Sequence, residues 1–173
     1  GTADKMEQAE INQEANVREI LVVEDDEGLL HSLGFVLKRA GYLVTASMNG
    51  KEALGLIQDK YSRDDNFDLV VTDLHLPGLN GLDLIAEVRN LDESIPIFVM
   101  TNYGHRGLGR ELIAQGVQGY LDKPFGSKDL LRVISDIFSK NCERDHTSDA
   151  SYKQNPLDKG TAKRNSKKGN TSL

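Results

Sequence analysis

The stretch LVVTDLHLPGLNGLDL, residues 69–84, reads as a strand, a turn and the start of a helix. Residues 69–72 are apolar or uncharged at consecutive positions instead of alternating, the pattern of a strand covered on both faces in a parallel sheet. Pro77-Gly78 marks a turn, and Leu82, Leu84, Ile85 and Val88 recur at helical spacing. The same unit repeats in both directions along the chain. Strands are expected over 20–23 (ILVV), 43–46 (LVTA), 69–72 (LVVT), 95–100 (IPIFVM) and 119–122 (GYLD). Helical spacing appears in Leu29, Leu30, Leu33, Val36 and Leu37; in Ala53, Leu54 and Ile57; in Leu112 and Ile113; and in Leu130, Leu131, Ile134, Ile137 and Phe138. Gly41 and Gly116 fall where helices end. Five strands alternating with five helices predict an α/β fold, a doubly wound five-stranded parallel sheet with helices on both faces. Gly34, inside the first helix, costs about 1 kcal/mol relative to Ala; the sequence offers no reason for it, close helix packing being one option.

The 173 residues are 38% hydrophobic and 28% charged, with a formal net charge of −6, no Trp and one Cys. That composition suits one ordinary domain with chain to spare. No apolar run approaches the roughly 20 residues of a bilayer crossing, and the opening GTADKMEQAE lacks the charged-then-apolar layout of an export signal. Cys142 alone makes no intrachain disulfide, and with four scattered His it makes no metal-ligand set. A cytoplasmic protein without a membrane partner is expected. Residues 20–140 carry eighteen acids to twelve bases, whereas 141–173 carry four to seven. The acidic body argues against direct nucleic-acid binding, which needs Lys and Arg presented together. Residues 1–17 read as a polar extension and 18–140 as the domain. Residues 141–173 read as a polar, basic tail, expected to be disordered because it has too few aliphatic residues to offset its ordering entropy.

In an open parallel sheet, ligands meet the protein beyond the carboxyl ends of the strands, where strand order reverses. At those ends stand Glu24-Asp25-Asp26, Asp73, Thr101 and Lys123-Pro124. Clustered carboxylates repel unless a cation is present, and an all-oxygen set suits Mg²⁺, so Glu24, Asp25 and Asp73 form a candidate Mg²⁺ site. In such a neutralised pocket one carboxylate can attack phosphorus and form an acyl phosphate. A nearby ammonium and hydroxyl, here Lys123 and Thr101, would hold the remaining phosphoryl oxygens. Each residue alone has a plainer reading. The acidic triplet would be a helix N-cap, Asp73 a turn residue, Thr101 a strand-end hydroxyl and Lys123 a solvated lysine. Their joint placement at one edge, with successive spacings of 48, 28 and 22 residues from Asp25, is the more specific signal.

ILVVEDDE (20–27), LVVTDLHLPGLNGLDL (69–84), FVMTNYG (98–104) and GYLDKPF (119–125) resemble the receiver domain of two-component response regulators. The resemblance covers about residues 18–140, and its specific parts are D-x-x-x-P-G-x-x-G and K-P-F. It implies a flavodoxin-like (βα)5 fold and phosphoryl transfer to Asp73 from a sensor histidine kinase or a phosphotransfer protein. It also implies Mg²⁺ held by Glu24, Asp25, Asp73 and the main-chain carbonyl of His75, and a cis bond between Lys123 and Pro124. The Thr101 hydroxyl and the Tyr120 ring would move together as a switch. The face of the fourth helix, fifth strand and fifth helix would then engage a downstream protein. Asn102 departs from the small residue usual at its position, and His75 and Tyr103 stand where phosphoryl lifetime is tuned. Receivers often precede a DNA-binding or enzymatic output domain, and no second folded domain is expected after residue 140.

The rival reading is a Mg²⁺-dependent phosphohydrolase with an aspartyl nucleophile; such enzymes usually carry a second Asp two residues on, where this chain has His75. A flavin or nucleotide binder would want a glycine-rich loop after the first strand, where acids stand instead. GHRGLG (104–109) lacks dinucleotide spacing and reads as a mobile loop. Lys163, Arg164, Lys167 and Lys168 read as a solvated tail, His31, His105 and His146 as surface residues, and Cys142 as incidental.

Overall fold

A computed structural model of the protein describes residues 17–102 and 108–143. Strands and helices alternate as β1 (Glu19–Val23), α1 (Glu27–Arg39), β2 (Leu43–Ser47), α2 (Gly50–Ser62), β3 (Leu69–Asp73), α3 (Gly81–Leu91), β4 (Ile97–Thr101), α4 (Leu108–Ala114), β5 (Gly119–Asp122) and α5 (Ser127–Glu143). All strand pairs are parallel, in the order β2-β1-β3-β4-β5. The chain leaves β1 for one neighbour, β2, and returns to the other, β3, so the strand order reverses beside β1.

The central strands β1, β3 and β4 are buried almost throughout because apolar side chains leave both faces. Leu21, Val23, Val70, Ile97 and Val99 meet Ala53 and Ile57 of α2, Leu84, Ile85 and Val88 of α3, and Leu108 and Leu112 of α4. Ile20, Val22, Leu69, Val71, Phe98 and Met100 meet Leu30, Leu33 and Leu37 of α1, and Leu130, Ile134, Ile137 and Phe138 of α5. Helices thus cover both faces, as the apolar pattern predicts. β2 lies at an edge, and its Leu43 is exposed accordingly.

Local chemistry sets the element ends. Asp26, Asn49 and Asn80 cap α1, α2 and α3 by accepting from main-chain N–H groups of the first turn. Gly41 (φ 98°) and Gly116 (φ 74°) take the left-handed conformation past α1 and α4. β4 begins at Ile97 and not at residue 95, because Pro96 has no N–H for the ladder; only its carbonyl joins, accepting from Val70 N. The α4 pattern holds at Leu112, which is buried, and not at Ile113, which is exposed. α5 continues to Glu143, past the composition change after Lys140. A Cβ on Gly34 would meet nothing within 4 Å, so close packing is not the reason for that glycine, and nothing in the structure explains it.

Candidate functional site

The register brings four strand ends to one edge. Val23 pairs with Thr72, Asp73 with Met100, and Thr101 with Asp122, so Glu24, Asp73, Thr101 and Lys123 emerge at neighbouring positions. Glu24 (1% exposed), Asp73 (3%) and Thr101 (0%) are buried, whereas Asp25 is exposed. The Lys123 ammonium donates to Glu24 Oε2 at 2.6 Å and to Asp73 Oδ2 at 2.8 Å. The other oxygen of each carboxylate accepts a main-chain N–H, Asp26 N to Glu24 Oε1 and His75 N to Asp73 Oδ1, both at 3.1 Å. The Lys123-Pro124 peptide is cis.

The plainer readings separate here. Within the acidic triplet only Asp26 is the N-cap, its Oδ1 accepting from Leu29 N at 2.9 Å. Glu24 and Asp25 stay in the pocket, where ligand oxygens of Glu24, Asp25 and Asp73 lie within 4.8 Å of one another. Asp73 closes a strand and is not a turn residue. Lys123 is not a solvated lysine, its side chain being 11% exposed and paired twice.

Burial raises the Glu24 carboxyl above its ordinary pKa, and the hydrogen bonds from Lys123 and Asp26 N only partly oppose this. Burial alone would lower the Lys123 ammonium, but the bonds to Asp73 and Glu24 outweigh it and raise its pKa. Three carboxyl groups face one ammonium at this partly buried edge, a surplus of acidic oxygen over cation. Hard oxygen donors with that surplus fit a divalent cation such as Mg²⁺.

The loop from β3 to α3 is fastened against the end of β3. Gly78 adopts φ 80°, and a Cβ on Gly81 would stand 2.3 Å from the Asp73 carbonyl oxygen and 2.5 Å from Leu74 Cα. The absence of that atom lets α3 start against the end of β3, where Gly81 N donates to Leu74 O at 2.8 Å. Sequence reasoning missed the support from β2. Ser47, 2% exposed, donates to Asn49 O and pairs with Glu52, while Gly50 N donates to Pro77 O. The Asn49-Gly50 pair, a turn and cap signal, could have revealed it.

Tyr120 pairs with Val99 across β5 and β4, and Thr101 lies two residues beyond Val99, so both occupy the α4 side of the sheet. His75 and Asn102 follow the ends of β3 and β4 and are exposed; His31 on α1 is exposed too. Tyr103, residues 104–107 of the glycine loop, His105, His146 and the tail lysines lie outside the described residues, as does the Cys142 side chain. Among the described residues no helix is long and apolar enough to cross a membrane.

The sequence profile of the response regulator receiver domain matches residues 20–135. The two-component response regulator ARR14 of Arabidopsis thaliana is 33% identical over 123 residues, 71% of this chain and 31% of that protein. The two-component response regulator PhoP of Pseudomonas aeruginosa is 39% identical over 111 residues, 64% of this chain and 47% of that protein. The chain therefore spans less than half the length of these two relatives. Among solved structures, a CheY-like receiver domain protein of Methanospirillum hungatei superposes with a TM-score of 0.68 at 25% identity, covering 75% of this chain and 99% of that one. Chemotaxis protein CheY4 of Vibrio cholerae gives 0.62 at 26% identity, covering 70% and 98%. With the five-stranded parallel sheet and the carboxylate edge it carries, the chain belongs to the response regulator receiver domain family.

Proposed function

We propose that the protein accepts a phosphoryl group on Asp73 in a Mg²⁺-dependent reaction and changes its partner affinity in response. The observation that carries this reading is the Lys123 ammonium bridging buried Glu24 and Asp73, with Asp25 alongside, at the strand-order reversal. Glu24, Asp25, Asp73 and the His75 main-chain carbonyl would hold the ion. Bound there, Mg²⁺ supplies the positive charge that lets a carboxylate and a phosphoryl group approach. An Asp73 carboxylate oxygen forms the new O–P bond while the P–N bond of a donor phosphohistidine breaks, and the departing imidazole takes a proton. Two of the three Lys123 N–H donors are used on Glu24 and Asp73, and on transfer the ammonium follows the charge onto a phosphoryl oxygen. The Thr101 hydroxyl donates to another by moving inward, which vacates room for the Tyr120 ring on the same side of the sheet.

The donor is a sensor histidine kinase or phosphotransfer protein, and the response is read by a downstream protein on the face of α4, β5 and α5. The protein acts on no separate substrate and binds neither nucleic acid nor membrane directly. A cytoplasmic location belongs to this reading, supported by a single cysteine among 173 residues. The phosphohydrolase alternative gains no support, since an exposed His75 stands where its second Asp would be. The test is intact-mass analysis after incubation with Mg²⁺ and acetyl phosphate. A gain of one phosphoryl group, abolished by EDTA and by Asp73→Asn, is expected. A gain retained in Asp73→Asn overturns the acceptor, and one retained in EDTA overturns the metal requirement.

A further inference from the structure

We propose that Gly109 on α4 sets the resting place of the Tyr120 ring, and through it how readily the ring leaves α4 on phosphorylation; this rests on the Thr101 and Tyr120 switch proposed above. A Cβ at position 109 would stand 3.1 Å from Tyr120 Oη, 3.5 Å from Cζ and 3.7 Å from Cε1. The phenol end of the ring therefore lies against the bare backbone of α4, in a place that any side chain at 109 would narrow.

The backbone does not itself demand glycine here, because Gly109 is not among the residues with positive φ, which are Asp64, Gly41, Gly78 and Gly116 among the described residues. Glycine is also the weakest ordinary helix former, and α4 is only seven residues long. Contact with Tyr120 is the local feature that a larger residue would disturb. The crowded atom is the far end of a flexible side chain, so the ring gives way by a few tenths of an ångström and the helix stays.

Tyr120 lies over Gly109 in this structure, and in the switch proposed above its other place is beside Thr101, on the same side of the sheet. A methyl group at 109 raises the energy of the first only, and a two-state equilibrium responds to that difference. Gly109 thus keeps the unphosphorylated ring on α4 by offering it room.

The test follows Tyr120 ring resonances by ¹H–¹³C NMR in the full chain, with and without Mg²⁺ and acetyl phosphate; they are assigned among five tyrosines by their loss in Tyr120→Phe. In unphosphorylated Gly109→Ala the Tyr120 signals should move from the parent position towards that of the phosphorylated parent. The further change on phosphorylation should shrink. In the Tyr120→Phe background, where the atom at 3.1 Å is gone, Gly109→Ala should leave the ring signals at position 120 in place. The inference is overturned if Gly109→Ala leaves the Tyr120 signals unmoved while the parent's still respond to phosphorylation, or if it moves ring signals equally with and without the hydroxyl. A parent whose Tyr120 signals ignore phosphorylation overturns the switch itself, and the role of Gly109 with it.

Discussion

Gly81→Ala should damage stability and phosphorylation together, because it acts on the joint between β3, which carries the proposed acceptor Asp73, and α3. Its Cβ would lie 2.3 Å from Asp73 O and 2.5 Å from Leu74 Cα, both main-chain atoms, where ordinary contact begins near 3.4 Å. Strand end and helix start must part by about 1 Å, and the bond from Gly81 N to Leu74 O at 2.8 Å is lost or stretched. Overpacking of this kind costs about 1–3 kcal/mol and the hydrogen bond about 1 kcal/mol more, giving a loss of about 2–4 kcal/mol. A shift of about 1 Å in a reacting group costs about 100-fold in rate. Urea denaturation followed by far-UV circular dichroism measures the first loss, and the initial rate of phosphoryl mass gain the second. Gly34→Ala is the control: with nothing within 4 Å of the new Cβ, it should gain about 0.5–1 kcal/mol and keep the parent rate. A Gly81→Ala protein as stable and as fast as the parent would refute the reasoning.

Lys123→Met leaves Glu24 and Asp73 buried without their cation and should cost about 3–5 kcal/mol at neutral pH, partly recovered on acidification that protonates Glu24. In the parent the Lys123 pKa is raised, so its contribution should be intact below the ordinary value of 10.5 and fade as pH rises through the higher folded value, which denaturation across alkaline pH would detect. Asp25→Ala removes one carboxylate from the trio and should weaken Mg²⁺ binding by isothermal titration, whereas equal affinity would move the ion elsewhere. Arg89 bonds to the carbonyls of Gln115 (2.9 Å), Gly116 (2.9 Å) and Ile95 (2.7 Å), so Arg89→Met should cost about 2–4 kcal/mol in urea denaturation. The acetyl phosphate reaction rate should survive that change under folding conditions.

The sheet was legible because burial on both faces leaves a direct mark, consecutive apolar residues in β1, β3 and β4. The candidate cluster was legible because a parallel sheet brings strand ends to one edge, so Glu24, Asp73 and Lys123 meet, with Thr101 at the same edge, although 99 residues separate Glu24 from Lys123. What stayed hidden depends on partners far along the chain. Nothing about Arg89 in α3 announces that it caps carbonyls 26 and 27 residues away. Gly81 and Gly109 look alike in sequence, yet one clears main chain and the other a phenol hydroxyl. Within Glu24-Asp25-Asp26 the sequence singled out Glu24 and Asp25 as candidate ion ligands but left the N-cap to the triplet as a whole, and only the direction of the Asp26 side chain assigns the cap to it.

The central claim is an acyl phosphate on Asp73, and chemical trapping tests it most directly. The full chain is treated with Mg²⁺ and acetyl phosphate and then reduced with borohydride, which converts an aspartyl phosphate to homoserine and leaves phosphohistidine and phosphoserine unreduced. Peptide mass spectrometry should find homoserine at position 73 and at no other aspartate, and none when EDTA replaces Mg²⁺. Homoserine at another aspartate, or phosphorylated protein with no reducible site, would contradict the account.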